Sequence, residues 1–237
     1  AYLADLARVR QPVANPRVAY QGEPGCYSEE AIVGFFGGDV NSVGKPWFND
    51  VFAALESGEV DYAMLPVENS STGSIRQVYD LMAQYHYYIV GEWQVPVEHC
   101  LAALPGAELS QITTVYSHEQ GLMQSEKYLD AHRDWKRVPT LDTAGSAKLV
   151  AEKGDPTAAA ICSKRAAQLY GLNILAERVN HNTMNHTRFA VVSQVPELRP
   201  ERNKISAVFR LPHQSGSLHE ILTIFAVQGL NLLKIES

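Results

Sequence analysis

The chain has 237 residues, 46% of them hydrophobic and 19% charged, enough for one large domain or two modest ones and too apolar for a disordered chain. A net charge of −6 and a pI near 5.8, with no Lys/Arg stripe, leave no electrostatic reason to expect a nucleic-acid partner. No stretch approaches the roughly 18 apolar residues that span a bilayer, and Cys26, Cys100 and Cys162 are odd in number and form no CxxC, which predicts reduced thiols in a cytoplasmic protein.

In chain order, residues 1–11 place Leu3, Leu6 and Val9 at helical spacing. With the residues to 16 they read as a short amphipathic helix or linker, not as a signal peptide. From Arg17 onward short β-rich runs alternate with helical patterns, the mark of an α/β fold with mainly parallel strands. Strands are predicted at 17–21, 62–67, 87–94, 112–117 and 157–163, and helices near 28–37, 50–57, 73–84, 118–131, 143–153 and 163–171. Asn49 or Asp50 can cap the second helix, Thr143 the fifth and Ser163 the sixth.

The stretch 95–104 starts as a Pro-containing extended crossing, and 178–188 is polar and aperiodic. Two crossings suit a two-lobed protein: lobe 1 from about 17–94 and 187–195, lobe 2 from about 100–180, with the ligand cleft between them. Residues 196–203 read as a polar linker. A β-α-β pattern follows over 204–237: a strand at 205–211, a helix at 217–228 and a strand at 229–235.

Each chemistry-bearing segment has a plain reading. GEPGCYSEEA at 22–31 is a strand-to-helix turn with Ser28 as a cap, at the strand end where open α/β sheets place ligands. PVENSSTGSI at 66–75 sets hydroxyls ahead of a helix, an arrangement suited to an anion, or simply a cap by Ser71 or Thr72. In VYSHEQGLMQS at 115–125, His118 is read as a helix start rather than a catalytic group. In DTAGSAKLV at 142–150, Asp142 either lines a pocket or caps a helix with Thr143. No HxH, HExxH, GxxxxGK[ST] or GxGxxG occurs, so neither a metal nor a nucleotide cofactor is expected.

Together with AAICSKRAAQLYGL at 159–172 and NHTRF at 185–189, these segments occur in the order found in prephenate dehydratases and the similar arogenate dehydratases, and the chain resembles that family from Val18 to about Ser193. The resemblance implies two doubly wound sheets of the periplasmic-binding-protein type and the conversion of prephenate to phenylpyruvate. It implies Thr187 as the catalytic residue, and Asn69, Ser70, Gln124, Glu68 and Asp142 around the substrate. The departing ring carboxylate supplies the electrons for the elimination, so no cofactor is required. A cation on that carboxylate would stabilise the ground state, which directs Arg188 to the pyruvyl carboxylate instead. The alternative for Arg188 is an ordinary salt bridge.

The C-terminal segment resembles the start of an ACT domain, a βαββαβ amino-acid sensor. That implies phenylalanine as effector near Gly216, Ser217, Leu218 and His219, with Glu236 and Ser237 opening the family's effector motif. A segment of about 33 residues is too small to bury its own face, so a homodimer or homotetramer is expected. Three other readings stand beside this one: an arogenate dehydratase, a non-enzymatic two-lobed amino-acid-binding protein, and a chorismate mutase domain fused upstream.

Overall fold

A computed structural model of the chain describes residues 9–197, 199, 203–207, 209 and 211–235. The residues fall into two compact units, 1–202 and 203–237.

The first unit contains two sheets. Strands β1 (Arg17–Gln21), β2 (Asn41–Lys45), β3 (Tyr62–Asn69), β5 (Tyr88–Pro96) and β11 (His186–Ser193) pair in the order β2-β1-β3-β11-β5, with the two-residue β4 (Gly73–Ser74) on β3. Strands β6 (Cys100–Ala103), β7 (Thr114–His118), β8 (Lys136–Thr140), β9 (Ala158–Cys162) and β10 (Asn173–Ala176) pair in the order β10-β6-β9-β7-β8. The central strands are near-continuous apolar runs because helices cover both faces of the sheet: Tyr62 to Leu65 on β3 and all of β9 are buried.

Helices α1 (Tyr27–Phe36), α2 (Phe48–Glu56) and α3 (Arg76–Tyr85) belong to the first sheet. Helices α4 (Glu119–Gln124), α5 (Glu126–Leu129), α6 (Thr143–Lys153) and α7 (Lys164–Leu169) belong to the second.

Several expected details differ. The helix expected at 118–131 is two short helices meeting at Ser125. Three expected caps are absent: α1, α2 and α3 start after Cys26, Trp47 and Ile75 with no side-chain cap bond, so Ser28, Asn49, Asp50, Ser71 and Thr72 do not act as caps. At α6 the cap is Asp142, not Thr143, whereas Ser163 does cap α7. Residues 1–8 lie outside the described region. Residues 9–16 are not helical, and Arg10 forms an isolated bridge with Glu197.

One buried cluster runs through both lobes, joining Tyr20, Ile32, Met64 and Phe189 to Cys100, Ala147, Ala160 and Ala167. Beside it the Gly22–Cys26 turn is strapped to the second lobe. Ser163 Oγ donates to Gly25 O (3.0 Å), Tyr170 Oη donates to Pro24 O (2.9 Å), and Lys148 pairs with Glu23 (3.0 Å). Gly25 has φ +88°, and a Cβ there would sit 3.0 Å from Ala166 Cα. Gly25→Ala therefore combines an unfavourable backbone with overpacking, and should cost about 1–3 kcal/mol. Urea unfolding would read this directly, and an unchanged midpoint would refute the close interlobe contact.

The second unit differs from the β-α-β expectation. It contains α8 (Ser217–Val227), but the described residues of 205–211 and 229–235 form no strands. Two candidate strands and one helix fall short of the three or more strands that an independently stable sheet usually needs. Leu218, Ile224, Val227, Leu233 and Ile235 are exposed. Of the expected effector positions, Gly216 takes a left-handed conformation before α8, Ser217 is buried, and Leu218 and His219 lie in the first turn. Glu236 and Ser237 lie outside the described residues.

Candidate active site

The lobes are joined by a double crossing in which residues 95–99 run beside 180–187. Val97 N–H donates to Asn185 O (2.8 Å), Asn180 Nδ2 donates to Val97 O (3.0 Å), and Thr187 stands opposite Val95 in the ladder. Thr187 lies on this crossing, and Asn69, Ser70 and Gln124 are bonded to it.

On the first lobe's side, β3 and β11 run antiparallel, with Thr187 opposite Asn69. Asn69 Oδ1 accepts the Ser71 and Thr72 backbone N–H groups (2.9 and 3.2 Å), which fixes the amide so that Nδ2 donates to Thr187 Oγ1 (2.9 Å). The Thr187 oxygen is thus an acceptor toward Asn69, and its own proton has no acceptor among the described residues. Ser70 is held by two consecutive residues of the return segment: its Oγ donates to Asn185 Oδ1 (3.2 Å) and accepts from His186 N (3.0 Å). Asn185 Nδ2 is buried and without a partner among the described residues.

On the second lobe's side, Gln124 ends α4, its backbone carbonyl accepting from His181 N (2.8 Å). Gln124 Oε1 lies 2.9 Å from His99 Nε2, and His99 Nδ1 lies 3.0 Å from Tyr27 Oη on α1. His99 is buried, and its backbone N–H donates to Asn180 Oδ1 (2.9 Å). Burial lowers its pKa from 6.5 to about 4, opposed by the Gln124 bond, so the imidazole is uncharged near neutral pH. A concavity of about 210 Å³ adjoins this network, lined by Glu98, Arg178, Asn180 and Thr183.

Arg188 and Glu68 are brought together, but with each other. Arg188 sends two bonds to Glu68 Oε2 (2.9 and 3.2 Å) and one to Glu92 Oε1 (3.1 Å). Successive residues on a strand face opposite sides, so Arg188 is directed away from Thr187, and its fork is already engaged by carboxylates. In this geometry Arg188 forms the salt bridge that stood as its alternative reading, shared between Glu68 and Glu92. Asp142 caps α6, its Oδ1 accepting Gly145 N–H at 2.6 Å, and burial raises its pKa. His118 caps α4 through Nδ1.

Sequence reasoning missed His99, Tyr27, Asn180 and Asn185. A lone histidine opening an apolar run, as in EHCLAAL, gives no periodic or pairing signal. Its partners are contributed by α1, α4 and the return crossing, 25 to 81 residues away along the chain.

At the crossing, then, the Thr187 oxygen accepts from Asn69 and keeps its own proton to give, and the Gln124 amide is bonded to the buried His99. Such an arrangement defines a two-lobed α/β domain with hydrogen-bonding side chains gathered at the crossing between its lobes.

Residues 18–197 match the family model described as prephenate dehydratase. Among curated relatives, arogenate dehydratase 3 of Arabidopsis thaliana is 41% identical over 99% of this chain and 56% of its own length. Arogenate dehydratase/prephenate dehydratase 6 of the same plant is also 41% identical, over 99% of this chain and 57% of its own. The crystal structure of prephenate dehydratase in complex with L-Phe from Arthrobacter aurescens superposes with a TM-score of 0.83 at 34% identity, covering 93% of this chain and 75% of that one. The chain belongs to the prephenate dehydratase family. It spans just over half the length of the curated relatives it matches.

Proposed function

We propose that the chain catalyses the decarboxylating dehydration of prephenate to phenylpyruvate. The C–CO2 bond breaks, its electron pair becomes a ring double bond, and the ring C–O bond breaks as hydroxide departs and is protonated to water. The step is redox-neutral within the substrate, so its chemistry calls for no electron-transfer cofactor. What it requires is orientation of a dianion and a donor for the leaving oxygen. The observation that carries this reading is the Thr187 hydroxyl, turned proton-outward by Asn69. Gln124 and Ser70 bind the substrate beside it. Asp142 acts by holding the start of α6, and the Arg188–Glu68–Glu92 cluster acts by bracing β11 against β3 and β5.

Arogenate is the second substrate to consider, because both curated relatives carry arogenate dehydratase in their names. It undergoes the same elimination and yields phenylalanine. Incubating the chain with each compound and following phenylpyruvate and phenylalanine separates the two; formation of neither product overturns the proposed reaction.

Residues 204–237 are proposed as part of an ACT regulatory unit that responds to phenylalanine, and the exposed apolar residues of α8 support its burial in a homodimer or homotetramer. The L-Phe in the Arthrobacter complex motivates adding phenylalanine to the assay. Three free, buried thiols suit a reducing, cytoplasmic setting.

A further inference from the structure

We propose that His99 is a positioning residue that fixes the side-chain amide of Gln124 so that its NH2 group, and not its carbonyl, faces the substrate. The inference rests on the proposed reaction and extends it to a residue that touches no substrate atom.

Three observations carry it. First, the imidazole is bonded at both nitrogens, to Gln124 Oε1 at 2.9 Å and to Tyr27 Oη at 3.0 Å. Second, it is only 3% exposed, and its backbone N–H is held by Asn180, so the ring has no freedom to seek other partners. Third, Gln124 Nε2 has no acceptor among the described residues, so that end of the amide is left for a ligand.

The proton arrangement follows from counting. Tyr27 has one hydroxyl proton and two acceptors in reach, Glu98 O at 2.9 Å and His99 Nδ1 at 3.0 Å. If the proton goes to Glu98 O, then His99 Nδ1–H must donate to Tyr27, Nε2 becomes an acceptor, and Gln124 has to turn its NH2 inward and present its carbonyl to the ligand. If the proton goes to Nδ1, then Glu98 O gives up its bond from Tyr27, Nε2–H donates to Gln124 Oε1 and both amide hydrogens remain for the substrate. Against a dianion only the second arrangement is attractive. Uncharged imidazole is what makes the choice exclusive, since it has one N–H to place. Tyr27 lies on α1 of the first lobe and Gln124 on α4 of the second, so His99 also makes the donor's orientation depend on the interlobe packing.

The test uses two variants that each keep one half of the bridge. Glutamine at 99 reaches about as far as Nε2 and can still donate to Gln124; asparagine reaches only to the Nδ1 position. His99→Gln should keep kcat within about threefold, whereas His99→Asn should lose about 10²-fold with KM little changed, as misplacement of a catalytic group does. The double variant His99→Asn/Gln124→Ala should be no slower than the slower single variant. Equal losses in both His99 variants, or a double variant at the product of the single effects, would overturn the assignment, since each is what a merely structural histidine would give.

A second measurement needs no substitution at His99. In uniformly 15N-labelled wild-type chain at neutral pH, the His99 ring nitrogens should report the Nε2–H tautomer, and a dominant Nδ1–H tautomer would overturn the proposal. Inactivity of the wild type on both substrates would refute the proposed reaction itself, and the tautomer measurement would still decide the orientation of Gln124.

Discussion

Replacing Thr187 by valine is expected to lower kcat about 10²–10³-fold, the usual loss when a donor to a developing oxyanion is removed. Valine keeps the branched shape at a position that is 8% exposed, so packing at the crossing is preserved and only the hydroxyl is lost. Threonine is a weak acid, and the bond that Asn69 Nδ2 donates to its oxygen polarises the O–H and strengthens it as a donor, with the proton directed elsewhere. In the proposed reaction the hydroxyl is a hydrogen-bond donor whose value grows as charge builds on the leaving oxygen. Such an interaction is made in the transition state, so kcat should fall far more than KM rises. Thr187→Ser retains the donor and should retain most of the rate. Steady-state kinetics of both variants decides the matter. A valine variant as fast as the wild type would reduce Thr187 to a packing residue and leave Gln124 and Asn185 as the remaining donors.

How much could be read from the sequence depended on what each element does physically. Strands β3 and β9 are legible because burial on both faces demands a continuous apolar run, as in YAMLPV and AAAIC. Strands β2 (NSVGK) and β8 (KRVPT) are not, because edge strands are kept polar, and Lys136 and Pro139 are the residues that discourage further pairing. Strand β6 was hidden by the proline that opens its segment, Pro96. Residues 205–211 have strand composition, but composition cannot supply a pairing partner, and the described residues of that stretch form no strand.

The site divides in the same way. Asn69 and Thr187 are 118 residues apart and bonded; motif order drew attention to both, and only the antiparallel β3–β11 pairing explains how they cooperate. Arg188 adjoins Thr187 in sequence, but successive strand residues face opposite sides, and its guanidinium meets Glu68 and Glu92 there, a pairing that only the strand register reveals. Residues that act on their neighbours, such as His99, leave no sequence pattern because their partners come from three different elements.

The second large effect expected is on stability, through the same histidine. An unfolded imidazole titrates near 6.5, whereas burial holds His99 near 4 in the folded chain. Between those values the unfolded chain binds a proton that the folded chain refuses, so acid favours unfolding. The contribution is fully present above about pH 6.5, is lost as pH falls through the folded value near 4, and changes little below it. A difference of this size corresponds to about 3 kcal/mol. The raised carboxyls of Glu30 and Asp142 work in the opposite sense, taking up protons more readily when folded, and would partly mask the effect in the wild type alone. His99→Gln keeps both carboxyls and removes the titration, so the informative quantity is the difference in unfolding free energy between the two proteins at each pH. That difference should move by about 3 kcal/mol against the wild type between pH 7 and pH 4. A constant difference across the range would mean that the folded imidazole protonates at its ordinary value. It would then be charged through the mildly acidic range, where both ring nitrogens donate, and the choice between two neutral tautomers would apply only above that range.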